Sequence, residues 1–176
     1  MGSKQARVLA GLVMAGWASV ASAQGQSDNR VAEETDWSVF VEANPKECWT
    51  VSAPKETVNT RDGRVVAVRR SDILLMVFYR PEAGVKGQVT FTGGYPFAKD
   101  STVGLDISGT QFEMGSDGEW AWLRSTEDDA KVIEALKRGS TAVLTARSAR
   151  GTQTKDTFSL LGFTAALEDA QKRCAN

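Results

Sequence analysis

The sequence predicts an all-β sandwich with two α-helices added late in the chain. Three observations carry that reading. Short apolar runs with a period of two recur between Trp37 and Ala146. Gly, Pro and Asn/Asp turn signals separate them. Helical spacing is clear only around Val132, Ile133 and Leu136 and again in the stretch before Cys174. Roughly eight to ten short strands result, enough for one domain.

In chain order, residues 1–23 read as a signal peptide. Lys4 and Arg7 form its positive start, residues 8–20 an apolar run of 13 residues, and Ala21-Ser22-Ala23 an A-x-A cleavage site. A membrane span needs about 20 apolar residues, so this run is too short to be one. The polar residues 24–35 read as a flexible lead-in, and residues 36–176 as a single β-sandwich domain. The longest later apolar run, residues 73–79, is strand-sized, so the exported chain is expected to have no transmembrane segment.

Trp37, Val39 and Val41 alternate on a first strand, Asn44-Pro45 turns, and residues 48–51 make a second. Residues 59–63 look like a turn-rich linker, and residues 64–68 resume a strand. The unbroken apolar run 73–79 suggests a strand covered on both faces. Val89 and Phe91 point inward on the next strand, then Gly93-Gly94-Tyr95-Pro96 breaks the pattern. Val103, Leu105 and Ile107 alternate again. Residues 111–114 and 119–123 form a hairpin across Gly115–Gly118, with Trp120 and Trp122 on one face of its second strand.

Ser125 or Thr126 caps the first helix; Glu127, Asp128 and Asp129 suit its N-terminus, and Gly139 is its stop. Ala142, Leu144 and Ala146 make a further strand, and residues 154–159 lead into the last helix. There Leu160, Phe163, Leu167, Ala170 and Cys174 fall on one stripe. A cysteine on the buried face of an exported domain is expected to pair, and the only other is Cys48. We therefore expect a Cys48–Cys174 disulfide joining the last helix to the opening strands. Two unpaired, buried thiols are the alternative.

The chemistry classes narrow quickly. The chain has no histidine, which removes histidine triads, imidazole metal ligands and a neutral-pH switch. Without the leader, 19 bases face 22 acids, a net charge of −3, which does not suit a nucleic-acid binder. Nucleophile-elbow and phosphate-cradling glycine motifs are missing, so no cofactor or metal is expected. Asp106, Glu113, Asp117 and Glu119 lie near the predicted hairpin, where solvated strand ends account for them more simply than a hydrolytic carboxylate pair.

Aromatic side chains favour binding. Trp120 and Trp122, with Tyr95 and Phe97 in the loop before them, are the candidate partner contacts, whereas Trp37 and Trp49 read as core. The arginines at 61, 64, 69 and 70 read as a solvated face, with an anionic contact surface as the alternative.

One resemblance adds to this. The C-terminal pattern Phe158-Ser-Leu160-x-Gly162-Phe163-x-x-Ala166-Leu167 with its final cysteine, and the opening Trp37-Ser-Val strand followed by Cys48, resemble the invasion-associated locus B family of exported bacterial proteins. The resemblance implies an immunoglobulin-like β-sandwich. It also implies a periplasmic, outer-membrane-associated or secreted location and, in some pathogenic members, a link to host-cell invasion. Members often carry a cysteine at the end of the first strand, where this chain has Phe40-Val41. The expectation is thus a non-enzymatic envelope protein that binds an unidentified envelope or surface partner. An envelope hydrolase using paired carboxylates and a purely structural envelope protein are the alternatives.

Overall fold

The computed structural model describes residues 29–175. The signal peptide expected over residues 1–23 lies outside them, as do residues 24–28 of the lead-in. The elements in order are β1 (Arg30–Glu34), β2 (Trp37–Ala43), β3 (Lys46–Ser52), β4 (Glu56–Arg61), β5 (Arg64–Val65), β6 (Leu74–Arg80), β7 (Val85–Thr92), β8 (Thr102–Ile107), β9 (Thr110–Asp117), β10 (Trp120–Trp122), α1 (Thr126–Arg138), β11 (Thr141–Arg147), β12 (Gln153–Ser159) and α2 (Phe163–Ala175). The fold is therefore all-β with two late helices. No helix among the described residues is long and apolar enough to cross a membrane.

All 12 strands among the described residues hydrogen-bond into one sheet, in the order β1-β2-β3-β6-β7-β10-β9-β8-β11-β12-β4-β5. The ladder runs unbroken from edge to edge, so the division into two sheets expected of an immunoglobulin-like sandwich is not seen. The sheet instead folds its inner face onto itself: Phe91 of β7 meets Phe158 of β12 edge to face, ring centroids 6.2 Å apart. Val39, Leu75, Val77, Val89, Leu105 and Leu144 fill the same interior.

Helix α2 covers the inner face of the first strands. Its buried stripe is Phe163, Ala166, Leu167, Ala170 and Cys174, and it packs on β1, β2, β3 and β6. Trp37 fits against Phe163 at 4.8 Å and donates its indole N–H to the Ser159 carbonyl at 3.0 Å. Cys48 and Cys174 form the expected disulfide, with Cα atoms 5.7 Å apart. In the chain-entropy account, closing so long a loop is worth about 4–5 kcal/mol at most.

Helix α1 begins as anticipated: the Ser125 hydroxyl accepts the Asp128 N–H. Its Asp129 carboxylate does a second job by accepting the Val89 N–H of β7 at 2.8 Å. Partner strand β10 ends at Trp122, opposite Thr90, so the helix takes over where the ladder stops. Burial pushes the Asp129 carboxyl above its ordinary range, although the Val89 N–H pulls the other way.

Several local expectations change. Part of the lead-in forms edge strand β1, whereas residues 59–63 belong largely to β4 and its turn. Strand β5 has only 2 residues, and the hairpin turn tightens to Gly118-Glu119 between paired Asp117 and Trp120. The lead into the last helix is a full strand, β12, between β11 and β4, and Leu160 precedes α2. Gly139 is extended, not left-handed. A Cβ there would lie 2.8 Å from an Ile107 methyl and 2.9 Å from a Leu160 methyl, so a larger residue would have to push those side chains aside.

The arginine cluster also divides. Residues 66–73 have no regular structure and are anchored by Arg70. Its guanidinium donates to both Asp156 oxygens at 2.6 and 2.7 Å, to the Gly93 carbonyl at 2.8 Å and to Asn59 at 3.3 Å. Side-chain exposure is 6% for Arg70 and 0% for Asp156. Arg70 is thus a buried structural cation, not part of a solvated face.

Candidate functional site

Because side chains alternate across a strand, burying Cys48 and Val39 forces Trp49 and Phe40 onto the opposite, outer face. Register then aligns the outward aromatics: Phe40 pairs with Trp49, and Trp49 with Phe78. The rings stack in sequence, Phe40 on Trp49 at 5.4 Å and 7°, Trp49 on Phe78 at 5.9 Å and 28°. The Arg80 guanidinium lies over the far side of this row, 4.4 Å from the Phe78 centroid. Glu47 holds it at 3.1 Å and it donates to Gln88 at 3.1 Å.

Across β7 stand Trp120 and Trp122. Both project from the outer face of β10 while Ala121 between them is buried. They are 45% and 38% exposed. With Phe78, Arg80, Gln88 and Thr90 they enclose a shallow depression of about 260 Å³. Five adjacent strands, β2-β3-β6-β7-β10, therefore present one outward face with five aromatic rings and one guanidinium.

The four predicted contact residues do not share this face. Trp120 and Trp122 lie on it. Phe97 is 6% exposed and sits in the core 6.1 Å from Phe91; the loop that carries it folds inward because its N–H donates to Gly118 at 2.8 Å. Tyr95 packs edge-on against Phe97 at 5.2 Å, and its hydroxyl shares a 2.5 Å hydrogen bond with Thr154. Burial raises the Tyr95 phenol above its ordinary range, with the Thr154 bond and nearby Arg70 acting in opposition. Trp49, read as core, is half-buried on the outer face instead.

The acidic candidates fall in two places: Asp106 and Glu113 lie on the paired strands β8 and β9, and Asp117 and Glu119 at the β9–β10 turn. Asp106 is engaged at its own turn, accepting from Gly109 N–H at 2.9 Å and from the Gln111 amide. Glu119 lines a different cleft, at the loop end of the sheet. No group of three or more Asp, Glu, His or Cys among the described residues is arranged to hold a metal ion.

Phe40, Trp49, Phe78 and Arg80 were not anticipated as surface residues. A signal for the first two exists: if Cys48 is inward for its disulfide, Trp49 must be outward, and inward Val39 and Val41 place Phe40 beside it. Phe78 sits in an apolar run without alternation, where periodicity gives no face.

The family model for the invasion associated locus B (IalB) protein matches residues 37–171, from the core tryptophan of β2 into the stripe of α2. The chain belongs to the IalB family. It also resembles the crystal structure of invasion associated protein B from Bartonella henselae, with a TM-score of 0.56 and 17% sequence identity, covering 82% of this chain and 98% of that one. Likeness at that identity speaks for the fold. No curated protein matches the chain. The IalB family is an exported bacterial family and is not known as an enzyme family. Its matched span contains the whole outward aromatic face and excludes edge strand β1.

Proposed function

We propose that this IalB-family protein is a non-enzymatic component of the bacterial envelope, located in the periplasm or at the outer membrane, that binds a partner through its outer aromatic face. The observation that carries the reading is the exposure of Trp120 and Trp122 beside an in-register row of Phe40, Trp49 and Phe78, with Arg80 stacked on Phe78. Tryptophan and arginine are among the residues that most often dominate binding energy, tryptophan by a large rigid apolar area and arginine by a planar, weakly hydrated cation that stacks and hydrogen-bonds. The Cys48–Cys174 bridge fits an oxidising compartment, as does the leader read over residues 1–23.

Affinity capture from envelope extract with wild-type protein against the Trp120→Ala/Trp122→Ala variant tests this. The variant is expected to lose a partner that the wild type retains. Identical captures from the two proteins refute the aromatic face as the contact surface.

A further inference from the structure

A second concavity lies at the loop end of the sheet. Residues of the irregular stretch before β6, the Tyr95-Pro96 loop, the hairpin turn and the β11–β12 turn enclose about 530 Å³, within the range of small-molecule sites. Its wall carries Arg61, Arg69, Arg70 and Arg150 against a single acid, Glu119. Asp156 neutralises Arg70 from beneath. Arg61 donates only to a neutral acceptor, the Thr152 hydroxyl, at 2.7 Å. Arg69 and Arg150 form no ion pair among the described residues. Four guanidinium groups against Glu119 and Asp156 leave an excess of two positive charges, in a chain whose formal net charge is −1.

Like charges gathered around one concavity repel each other, and the repulsion is relieved when an anion occupies the space. Guanidinium is also the group whose planar fork matches the oxygens of a phosphate two at a time. The floor is rigid, since Arg70 is fixed by four hydrogen bonds and stacks on Tyr95 with its carbon 5.0 Å from the ring centroid. We propose that this cleft binds a phosphate group carried on a sugar-sized ligand, with Arg69 and Arg150 as the gripping cations and Arg61 set beside them by Thr152. The site is separate from the aromatic face and does not depend on the partner proposed there.

The phosphate has two sources, a free sugar phosphate or a phosphorylated lipid headgroup. Calorimetric titration of the purified disulfide-bonded protein with glucosamine 1-phosphate, with glucose as the uncharged control, probes the first. Flotation with phosphatidylglycerol vesicles against phosphate-free digalactosyldiacylglycerol vesicles probes the second. Binding to either phosphorylated probe and not to its control is expected, weakening as salt rises. The Arg69→Gln/Arg150→Gln variant is expected to bind about 100-fold more weakly, about tenfold for each charge-assisted contact removed. Arg64→Gln, outside the cleft, is expected to bind as wild type. Failure of both phosphorylated probes to bind overturns the proposal, as does affinity unchanged in the double variant or weakened equally by Arg64→Gln.

Discussion

Removing the Arg70 side chain tests how the irregular segment between β5 and β6 is held. Arg70→Ala deletes both hydrogen bonds to Asp156, plus those to Gly93 and Asn59, and strands a carboxylate with 0% side-chain exposure. Breaking one side of a buried ion pair costs about 3–5 kcal/mol, chiefly because the remaining charge is left uncompensated. That is a fifth or more of a typical domain's total stability of about 5–15 kcal/mol. For a domain of this size each kcal/mol moves Tm by about 2–4 °C, so the expected fall is about 6–20 °C. Urea and thermal unfolding of oxidised protein, followed by circular dichroism, measure it. Asp156→Ala should cost a similar amount, and the Arg70→Ala/Asp156→Ala variant clearly less than the two losses added. A well-packed Arg70→Met/Asp156→Leu pair should be near neutral. An Arg70→Ala loss below about 1 kcal/mol, or strict additivity in the cycle, would refute the argument.

Three further outcomes follow from the same structure. Denatured, non-reduced protein should titrate no free thiols, and Cys48→Ser/Cys174→Ser should lose up to about 4–5 kcal/mol in unfolding; two titratable thiols in the wild type would contradict the bridge. Asp129→Ala should cost about 1–3 kcal/mol by orphaning the Val89 N–H, whereas Asp129→Asn keeps the acceptor. Because burial raises the folded Asp129 carboxyl above its unfolded value of about 3.8, its favourable contribution is complete below that value and fades as pH rises through the folded one. Wild type should therefore lose ground to Asp129→Asn across that window, and unfolding curves with a flat difference would count against it. Gly162→Ala should destabilise by more than the roughly 1–2 kcal/mol of a left-handed backbone, since φ is +88° and a Cβ would fall 1.9 Å from the Glu34 carbonyl; an unchanged Tm would show that β1 does not press on that turn.

The readable parts of the sequence were those where the interior is aliphatic or aromatic. Phe163, Leu167, Ala170 and Cys174 declare the buried side of α2 by spacing alone, and that side meets Cys48 as the pairing requires. Strands β4 and β12 stayed hidden because their inward positions are polar: Thr154 and Asp156 are buried but point to Tyr95 and Arg70. Polar alternation looks like a loop until the distant partner is known, and Arg70 lies 86 residues from Asp156. The same distance problem misplaced Phe97, whose burial depends on Phe91 and on the Gly118 carbonyl. On the candidate face, Trp120 and Trp122 were legible from alternation, and the row they extend required the register of β2, β3 and β6.

Aromatics on a sheet surface have two physical explanations, and the structure separates them. Phe40, Trp49 and Phe78 have one another: each is half-buried and stacked, and cross-strand pairs of this kind stabilise a sheet by about 0.2–1 kcal/mol apiece. Their presence needs no partner. Trp120 and Trp122 have no ring partner among the described residues and keep 45% and 38% of their surface in water. Truncating surface side chains usually changes stability by about 0.5 kcal/mol. Phe78→Ala should therefore lower Tm, and Trp120→Ala/Trp122→Ala should leave it nearly unchanged while abolishing capture. If the tryptophan pair proves as costly to fold stability as Phe78, its exposure is compensated within the sheet and the argument for a contact surface loses its basis.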